Sequence, residues 1–392
     1  MDQTCITIRK TDTCEYKIKP CISLKSPTIK SDEGIKSSIT VKKSSAIDPE
    51  SRDISHINMA RSLNNLEFDI IKSGLQKAIR RGNIDAASSY VIEGDFFSLV
   101  EKDRAKGNRT NLTNRLRVTL VEDLFDWQVV MRVVPWFTIW SQTRNSDKSW
   151  KYLLSIVRCL AWAKKIRLLS DLKVFMAREL HRKALGDQYD DLFNQWNAHG
   201  LKKDNLSRFK YLLDQCNPNC LHWYQQLYED NQEKEIWLTI FNVAEKKNAQ
   251  LMPILNSVSD LKIQLGKTYR ERNLYDMYGI ALVLFHQRID WKKSHDLPGL
   301  MSDEEAANMY VEHWNKWTRD NLPEGEAGWL PSKIVIDKHT KKGRARGQTA
   351  MDFAEVGSVV VNEDHRYYFP ILRKIYTEKK VIQITQIMIW MS

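Results

Sequence analysis

The sequence predicts a mainly α-helical protein, with a multi-helix body between a disordered N-terminal tail and a small C-terminal α+β unit. Glycine and proline, at 15 and 10 of 392 residues, are too few for a turn-rich sandwich, barrel or propeller. Apolar residues recur at helical spacing from Leu66 to about residue 320. Beyond residue 328 the pattern changes to short β-branched and aromatic runs, which are typical of strands.

The predicted tail consists of residues 1–60. They are rich in Ser, Thr, Lys and Ile and contain neither Trp nor Phe, so little aromatic surface is available to offset the entropy lost on ordering. Their three cysteines, Cys5, Cys14 and Cys21, lack the paired spacing of a zinc module. We therefore expect a flexible, weakly basic segment.

The same N-terminal residues lack the apolar core of a secretion signal, and no stretch of the chain is apolar enough to span a bilayer. Six cysteines in 392 residues are then expected to be free thiols in a reducing compartment. These patterns predict an intracellular protein, cytoplasmic or nuclear, that is neither secreted nor bound to a membrane.

The helical body is predicted to comprise a first domain, 66–180, and a further helical region, 181–327. Phe68 and Leu75 share the apolar face of the first helix. Gly82 follows it as a stop, and Asn83 is placed to cap the second helix, for which Gly94 is the predicted end. Five tryptophans lie in apolar helical stretches and are predicted to be buried: Trp127, Trp136, Trp140, Trp150 and Trp162.

The last unit, 328–392, is predicted to combine helices with strands. Short apolar runs at 334–336, 359–361 and 381–390 are bounded by Gly, Pro or charged residues. We expect these runs to form a small sheet.

The first domain also carries a series of short motifs in a fixed order. The first helix has the pattern Leu-x-Lys-Ala-Ile-Arg, and the second carries two adjacent alanines. The third helix contains an arginine and ends in Glu-Asp. The fourth has the pattern Leu-Ala-x-Ala and is followed by a basic residue. Their residues are Leu75, Lys77, Ala78, Ile79, Arg80, Ala86, Ala87, Arg115, Glu122, Asp123, Leu160, Ala161, Ala163 and Lys164. This series resembles the C-terminal helical region of clamp-loader-related AAA+ ATPases, in the branch of the replication-associated recombination proteins and the Werner helicase-interacting ATPase.

In that family the region is a collar that holds subunits together, and an ATPase domain precedes it. The residues before position 66 contain no phosphate-binding loop. Gly266, Lys267 and Thr268 come nearest to one, but Leu261 stands where that loop requires glycine. The resemblance therefore implies a homo-oligomer or a partner ATPase, and we expect no cofactor on this chain.

A basic segment, residues 333–347, concentrates the positive charge of the chain. The whole sequence has 60 Lys and Arg against 49 Asp and Glu, a net charge of +11, which favours a polyanionic partner, more often nucleic acid than an anionic membrane. Asp337 is the only acid in the segment, and Gly343 and Gly347 are expected to let a ligand approach the backbone. The predicted nucleic-acid-binding residues are Lys338, Lys341, Lys342, Arg344, Arg346, Arg366, Arg373 and Lys374.

Two alternatives remain open for this segment. One is a solvated basic hairpin or a nuclear-import-like signal. The other is a catalytic or metal site built from Asp337, His339 and Glu363, although their spacing matches no metallonuclease pattern. For Asp337 the favoured role is a structural ion pair or a turn cap.

A second cluster, Cys216, Cys220 and His222, offers three zinc ligands within seven residues. A structural site needs a fourth ligand, which would have to be His199 or Asp214. A turn with free thiols is the favoured interpretation.

Together these features predict a non-catalytic nucleic-acid-binding factor, most consistent with DNA, that acts in replication or recombination. The alternatives are a metal-dependent nucleic-acid enzyme that uses Asp337 and His339, or a structural or virion assembly protein for which the basic charge serves packaging.

Overall fold

The computed structural model describes most of the body of the chain and the backbone of two short N-terminal segments. The described residues are 6–9, 15–18, 61–100, 105–143, 149–170, 172, 204–265, 271–291, 296–316 and 329–361. From residue 61 onward they are dominated by helices, as the sequence predicts.

The two N-terminal segments are strands. β1 (Ile6–Arg9) pairs antiparallel with β2 (Glu15–Ile18), with Ile6 opposite Ile18. The remainder of the predicted tail lies outside the described residues, so its flexibility stays a prediction.

Five helices form the first part of the body. They are α1 (Phe68–Arg80), α2 (Ile84–Val100), α3 (Ala105–Glu122), α4 (Trp127–Thr143) and α5 (Trp150–Trp162). Helix α1 packs on α2, α3 and α5, and α4 packs on α5. The apolar faces of these helices share one core.

The ends of α1 and α2 test the predicted helix signals. Gly82 has a φ of 64° just after α1, and the side chain of Asn83 accepts a hydrogen bond from the backbone of Ala86, which confirms the predicted stop and cap. The predicted end at Gly94 is wrong, because α2 continues to Val100. A Cβ at Gly94 would lie about 3 Å from Leu112, so this glycine lets α3 approach α2 closely.

Five more helices form the second part. They are α6 (Asn205–Asp214), α7 (Cys220–Glu229), α8 (Glu233–Lys247), α9 (Leu251–Gln264) and α10 (Asn273–Phe285). Every residue of α10 from Leu274 onward is buried. Helix α9 packs on α4 and α10 packs on α3, so the core is continuous with that of the first part. The predicted boundary near residue 180 lies outside the described residues.

Helix α11 (Asp303–Lys316) crosses α2 and α5. Two buried acids of α2 hold it: Glu93 accepts from His313 at 2.6 Å, and Asp95 accepts from the hydroxyl of Tyr310 at 2.9 Å. Asp95 is also paired with Arg109 of α3 at 2.6 Å. These contacts make α11 part of the body rather than a linker to the last unit.

The last described elements are short helices: α12 (Ser332–Val335), α13 (Lys341–Ala345), α14 (Ala350–Asp352) and a π-helical turn, Phe353–Gly357. The predicted strand at 334–336 is wrong, because Ile334 and Val335 belong to a helical turn that packs on α1. Residues 359–361 form no strand, and 381–390 lie outside the described residues. The α+β unit is therefore not observed in the part of the chain that the structure describes.

Trp136, Trp140 and Trp150 are buried, as predicted, and Trp127 is partly buried against the core. Trp162 is 45% exposed, so its predicted burial is wrong. It lies at the last position of α5, and it is not among the buried residues of that helix. None of the described helices is both long and apolar enough to cross a membrane.

Candidate nucleic-acid interface

The basic segment is built on a turn and a short capped helix. The backbone of His339 donates to Oδ1 of Asp337 at 2.7 Å, and the backbone of Thr340 donates to the Asp337 carbonyl at 2.9 Å. Thr340 then caps α13 by accepting from the backbone of Gly343 at 3.0 Å. The cap fixes the direction in which α13 and its cations point.

The two glycines of this segment serve the fold of the chain. A Cβ at Gly343 would lie 1.8 Å from the carbonyl oxygen of Asp337, so only glycine allows the helix to close against the turn. Gly347 follows α13 with a φ of 71°, the left-handed conformation in which helices commonly end. The predicted role of Gly343 in approaching a ligand is wrong, because its backbone is buried against Asp337.

Asp337 is held by an ion pair with Lys77 of α1. Nζ of Lys77 donates to Oδ2 of Asp337 at 2.5 Å, to Oγ of Ser73 at 2.8 Å and to the Val335 carbonyl at 3.0 Å. Both charged side chains are buried. Burial lowers the pKa of Lys77 to about 8, and Asp337 opposes that shift. This contact confirms the favoured role of Asp337, as both an ion-pair partner and a turn cap.

The same contacts bear on the catalytic alternative. Both carboxylate oxygens of Asp337 are engaged, one by Lys77 and one by the backbone of His339. The ring of His339 packs edge-on against Phe353, with centroids 4.8 Å apart, and burial lowers its pKa. Glu363 lies outside the described residues. The structure therefore brings Asp337 and His339 together as a turn and gives no catalytic arrangement of the two side chains.

The predicted phosphate-binding cations divide into two groups. Lys341, Lys342, Arg344 and Arg346 are exposed on α13 or directly after it, and Lys338 lies partly buried over the Phe353 ring. Arg366, Arg373 and Lys374 lie outside the described residues. Among the residues that the structure describes, no carboxylate comes within the 4.0 Å ion-pair distance of those first five cations.

One acid approaches the segment from α1. Oδ2 of Asp69 accepts from the backbone of Lys341 at 2.6 Å, so it anchors the first residue of α13 without pairing with the lysine side chain. The Nη1 atom of Arg344 donates to the His339 carbonyl at 2.8 Å. The side chains of Lys341 and Lys342 remain in solvent and are available to an anion.

An aromatic pocket opens beside α13, with a volume of about 190 Å³. We use this name for the space lined by Leu66, Ile70, Tyr90, Trp329, Val335 and Ile336, with Arg61, Glu67, Ser332 and Lys342 among its polar residues. The Trp329 ring meets Tyr90 edge-on, with centroids 4.8 Å apart. Lys342 thus belongs both to the basic helix and to the pocket.

The sequence did not predict this pocket. Its walls come from the turn before α1, from α1 and α2, and from residues 329–342, so its members are separated by more than two hundred positions. The one available signal is Trp329, a large aromatic residue followed closely by Pro331 in a stretch without helical periodicity.

Three of the predicted collar residues, Arg80, Glu122 and Asp123, meet in an ion-pair cluster, which Arg167, not one of the predicted residues, also approaches. Nε of Arg80 donates to Asp123 at 3.0 Å, Nη2 of Arg80 lies 3.7 Å from Glu122, and Arg167 approaches both acids at about 4 Å. Arg80 and Asp123 are buried, and the neighbouring carboxylates raise the pKa of Arg80 against the opposing effect of burial. These motif residues join α1 to the end of α3 within one chain.

The Leu-Ala-x-Ala motif has a different environment. Lys165 is buried and donates to the carbonyls of Ala161 and Ala163, and burial lowers its pKa to about 8. Lys164 and Trp162 are exposed on the same turn. Of this motif, only these two side chains are positioned to contact another molecule.

The proposed zinc ligands do not meet. Sγ of Cys216 lies 3.8 Å from Nδ1 of His286, whereas Cys220 is buried at the start of α7 and His222 packs against Trp223. Among the described residues, no group of three His, Cys, Asp or Glu is close enough to hold a metal ion. Both cysteines are free thiols, and burial raises the pKa of each.

No family model, curated protein or solved structure matches this chain. The functional interpretation therefore depends on the geometry of the basic segment and its surroundings.

Proposed function

We propose that this protein is a non-catalytic nucleic-acid-binding factor of DNA replication or recombination, whose basic segment holds the phosphate backbone. The observation that supports this function is the set of five cations on and beside α13, which have no carboxylate partner among the described residues. Phosphate contacts by Lys and Arg release counterions and supply most of the sequence-independent affinity for nucleic acid.

The contacts that hold α13 against the body of the protein also favour this proposal. The Lys77–Asp337 ion pair and the hydrogen bond from Lys341 to Asp69 hold the helix against α1. Cations on a fixed helix lose less conformational entropy on binding than cations on a free loop. A solvated basic hairpin would need no such anchoring.

The experiment is a salt titration of binding to a labelled DNA oligonucleotide, followed by fluorescence anisotropy. We expect log affinity to fall linearly with log salt concentration for the natural protein. The double variant Lys341→Ala/Arg344→Ala should bind more weakly, with a slope shallower by about two units, since each lost contact removes about one.

The matched control is Lys210→Ala/Lys234→Ala, which removes the same charge from exposed positions on α6 and α8. It should leave the affinity and the slope close to those of the natural protein. If the two double variants have the same affinity and slope, the interface is not on α13. If neither the variants nor the natural protein bind DNA in a salt-dependent way, the proposed function is wrong.

The second part of the proposal is a helical collar that forms a homo-oligomer or binds a partner ATPase. It is supported by the resemblance over residues 66–180 and by the exposure of Trp162 and Lys164 within that motif. The measurement is the mass in solution by sedimentation, with and without DNA, for the natural protein and for Trp162→Ser. A natural protein that remains a monomer and binds no ATPase would contradict the collar.

A further inference from the structure

The aromatic pocket adjoins the proposed phosphate-binding helix. Lys342 lines the pocket and belongs to α13, so an anion bound by this lysine would lie beside the pocket. A ligand that fills both sites must therefore join a negative charge to an apolar, flat group.

We infer that the aromatic pocket receives one unstacked base of a single-stranded nucleic acid whose phosphates follow α13. This inference rests on the proposed function and names the form of nucleic acid that the site takes. It also assigns roles to Trp329 and Tyr90, which form the aromatic wall.

The size of the pocket suits a single base. Its volume of about 190 Å³ exceeds the cavity of about 150 Å³ that accommodates benzene in an engineered protein interior. The wall is apolar on the side of Ile70 and Val335, and Trp329 presents its ring beside Tyr90. Bases of single strands are commonly held against such aromatic side chains.

The polar residues of the pocket complement the base and its phosphate. Arg61 is paired with Glu67 at 2.8 Å, so the two offer donors and acceptors at the edge without a net charge. Ser332 adds a hydroxyl, and Lys342 supplies a cation that could bind the phosphate of the same nucleotide. Among the described residues, Lys342 is thus the one charged residue of the pocket without a partner of opposite charge.

A duplex does not satisfy this arrangement. Its bases are paired and stacked, and placing one of them in the pocket would cost the free energy of unstacking. A single strand presents a base without that cost. We therefore expect a preference for single strands that depends on the pocket, in addition to phosphate affinity that depends on α13.

The test compares four labelled or competing probes on the natural protein: an oligothymidylate strand, the same strand with abasic sites, a duplex of equal length, and free thymidine monophosphate. The oligothymidylate should bind most tightly. The abasic strand and the duplex should retain salt-dependent but weaker binding, and the free nucleotide should compete poorly because it lacks the adjoining phosphates.

Two variants probe the pocket itself. Trp329→Ala removes one of the two rings of the aromatic wall and should weaken oligothymidylate binding about 5- to 100-fold, with the slope against salt and the affinity for the abasic strand unchanged. Ser332→Phe fills the pocket without removing its wall and should have the same selective effect. The control is Trp291→Ala, at a partly buried tryptophan that packs against Trp127 and does not line the pocket.

The outcomes separate the two proposals. If intact and abasic strands bind equally, or if Ser332→Phe binds oligothymidylate like the natural protein, the base pocket is wrong, while salt-dependent binding still supports the proposed function. Free nucleotide that binds as tightly as the strand would likewise overturn the single-strand assignment. Absence of salt-dependent binding to every strand would overturn the proposed function itself.

Discussion

Lys77 and Asp337 form a buried ion pair that joins α1 to the turn before α13, across 260 positions of sequence. The pair completes three hydrogen bonds from Lys77 and leaves Asp337 with both oxygens engaged. It places the cations of the basic segment on the body of the protein.

Replacing Lys77 by Met should lower the free energy of unfolding by about 3–5 kcal/mol, because it leaves a buried carboxylate without its partner. Urea denaturation at neutral pH measures the loss. The double variant Lys77→Met/Asp337→Asn should recover part of it, since the remaining amide is neutral and can still accept from His339. Lys316→Met, at an exposed pair with Glu312, should change stability by at most about 0.5 kcal/mol.

Lys165 provides a pH-dependent prediction. Its pKa is lowered from the ordinary 10.5 to about 8, so the folded protein binds fewer protons than the unfolded chain between these two values. The cost of burying this charge is fully present below pH 8 and disappears as the pH rises toward 10.5. The contribution of Lys165 to stability should therefore increase with pH, by up to about 3 kcal/mol.

The measurement is the free energy of unfolding of the natural protein and of Lys165→Met at several values between pH 7 and pH 10. The free energy of unfolding of the natural protein, relative to that of Lys165→Met, should increase as the pH rises. Lys164→Met, at the exposed neighbouring position, is the control, and its free energy of unfolding should change with pH in the same way as that of the natural protein. A constant difference for Lys165→Met would show that the lysine is not buried in its charged form.

The two glycines of the basic segment should differ in their tolerance of a side chain. Gly343→Ala places a Cβ 1.8 Å from the Asp337 carbonyl, a position that the backbone must vacate. Gly347→Ala meets no neighbouring atom, and its cost is the strain of a positive φ, about 1–2 kcal/mol. Thermal unfolding should therefore show the larger loss for Gly343→Ala, and equal losses would mean that α13 does not close against Asp337.

The two acids at the end of α3, Glu122 and Asp123, should differ in how much they contribute to the stability of the fold. Asp123 is buried against Arg80, and Asp123→Asn should cost about 3–5 kcal/mol because it leaves the arginine charge without its main partner. Glu122 is more exposed and 3.7 Å from Arg80, so Glu122→Gln should cost less than about 1 kcal/mol. A double-mutant cycle with Arg80→Met measures each coupling, and a larger coupling for Glu122 would contradict the assignment.

Several elements of the fold followed from local patterns. The cap at Asn83 and the stop at Gly82 were predicted because capping depends on residues within one turn. The end at Gly94 and the strand at 334–336 were predicted wrongly, because tertiary packing against Leu112 and against α1 overrode the local signal. The same holds for Trp162, whose helical position alone does not show whether a neighbour covers it.

What the sequence by itself determined is the helical class of the described body and the presence of the cations from Lys338 to Arg346, since both are properties of composition and spacing. Only the tertiary structure decided that Asp337 pairs with Lys77, that Gly343 is required by the Asp337 carbonyl, and that Trp329 and Tyr90 form a pocket beside Lys342. Each of these contacts joins residues that are distant in sequence or depends on the path of the backbone. Composition and periodicity carry no information about which distant residues a fold brings together.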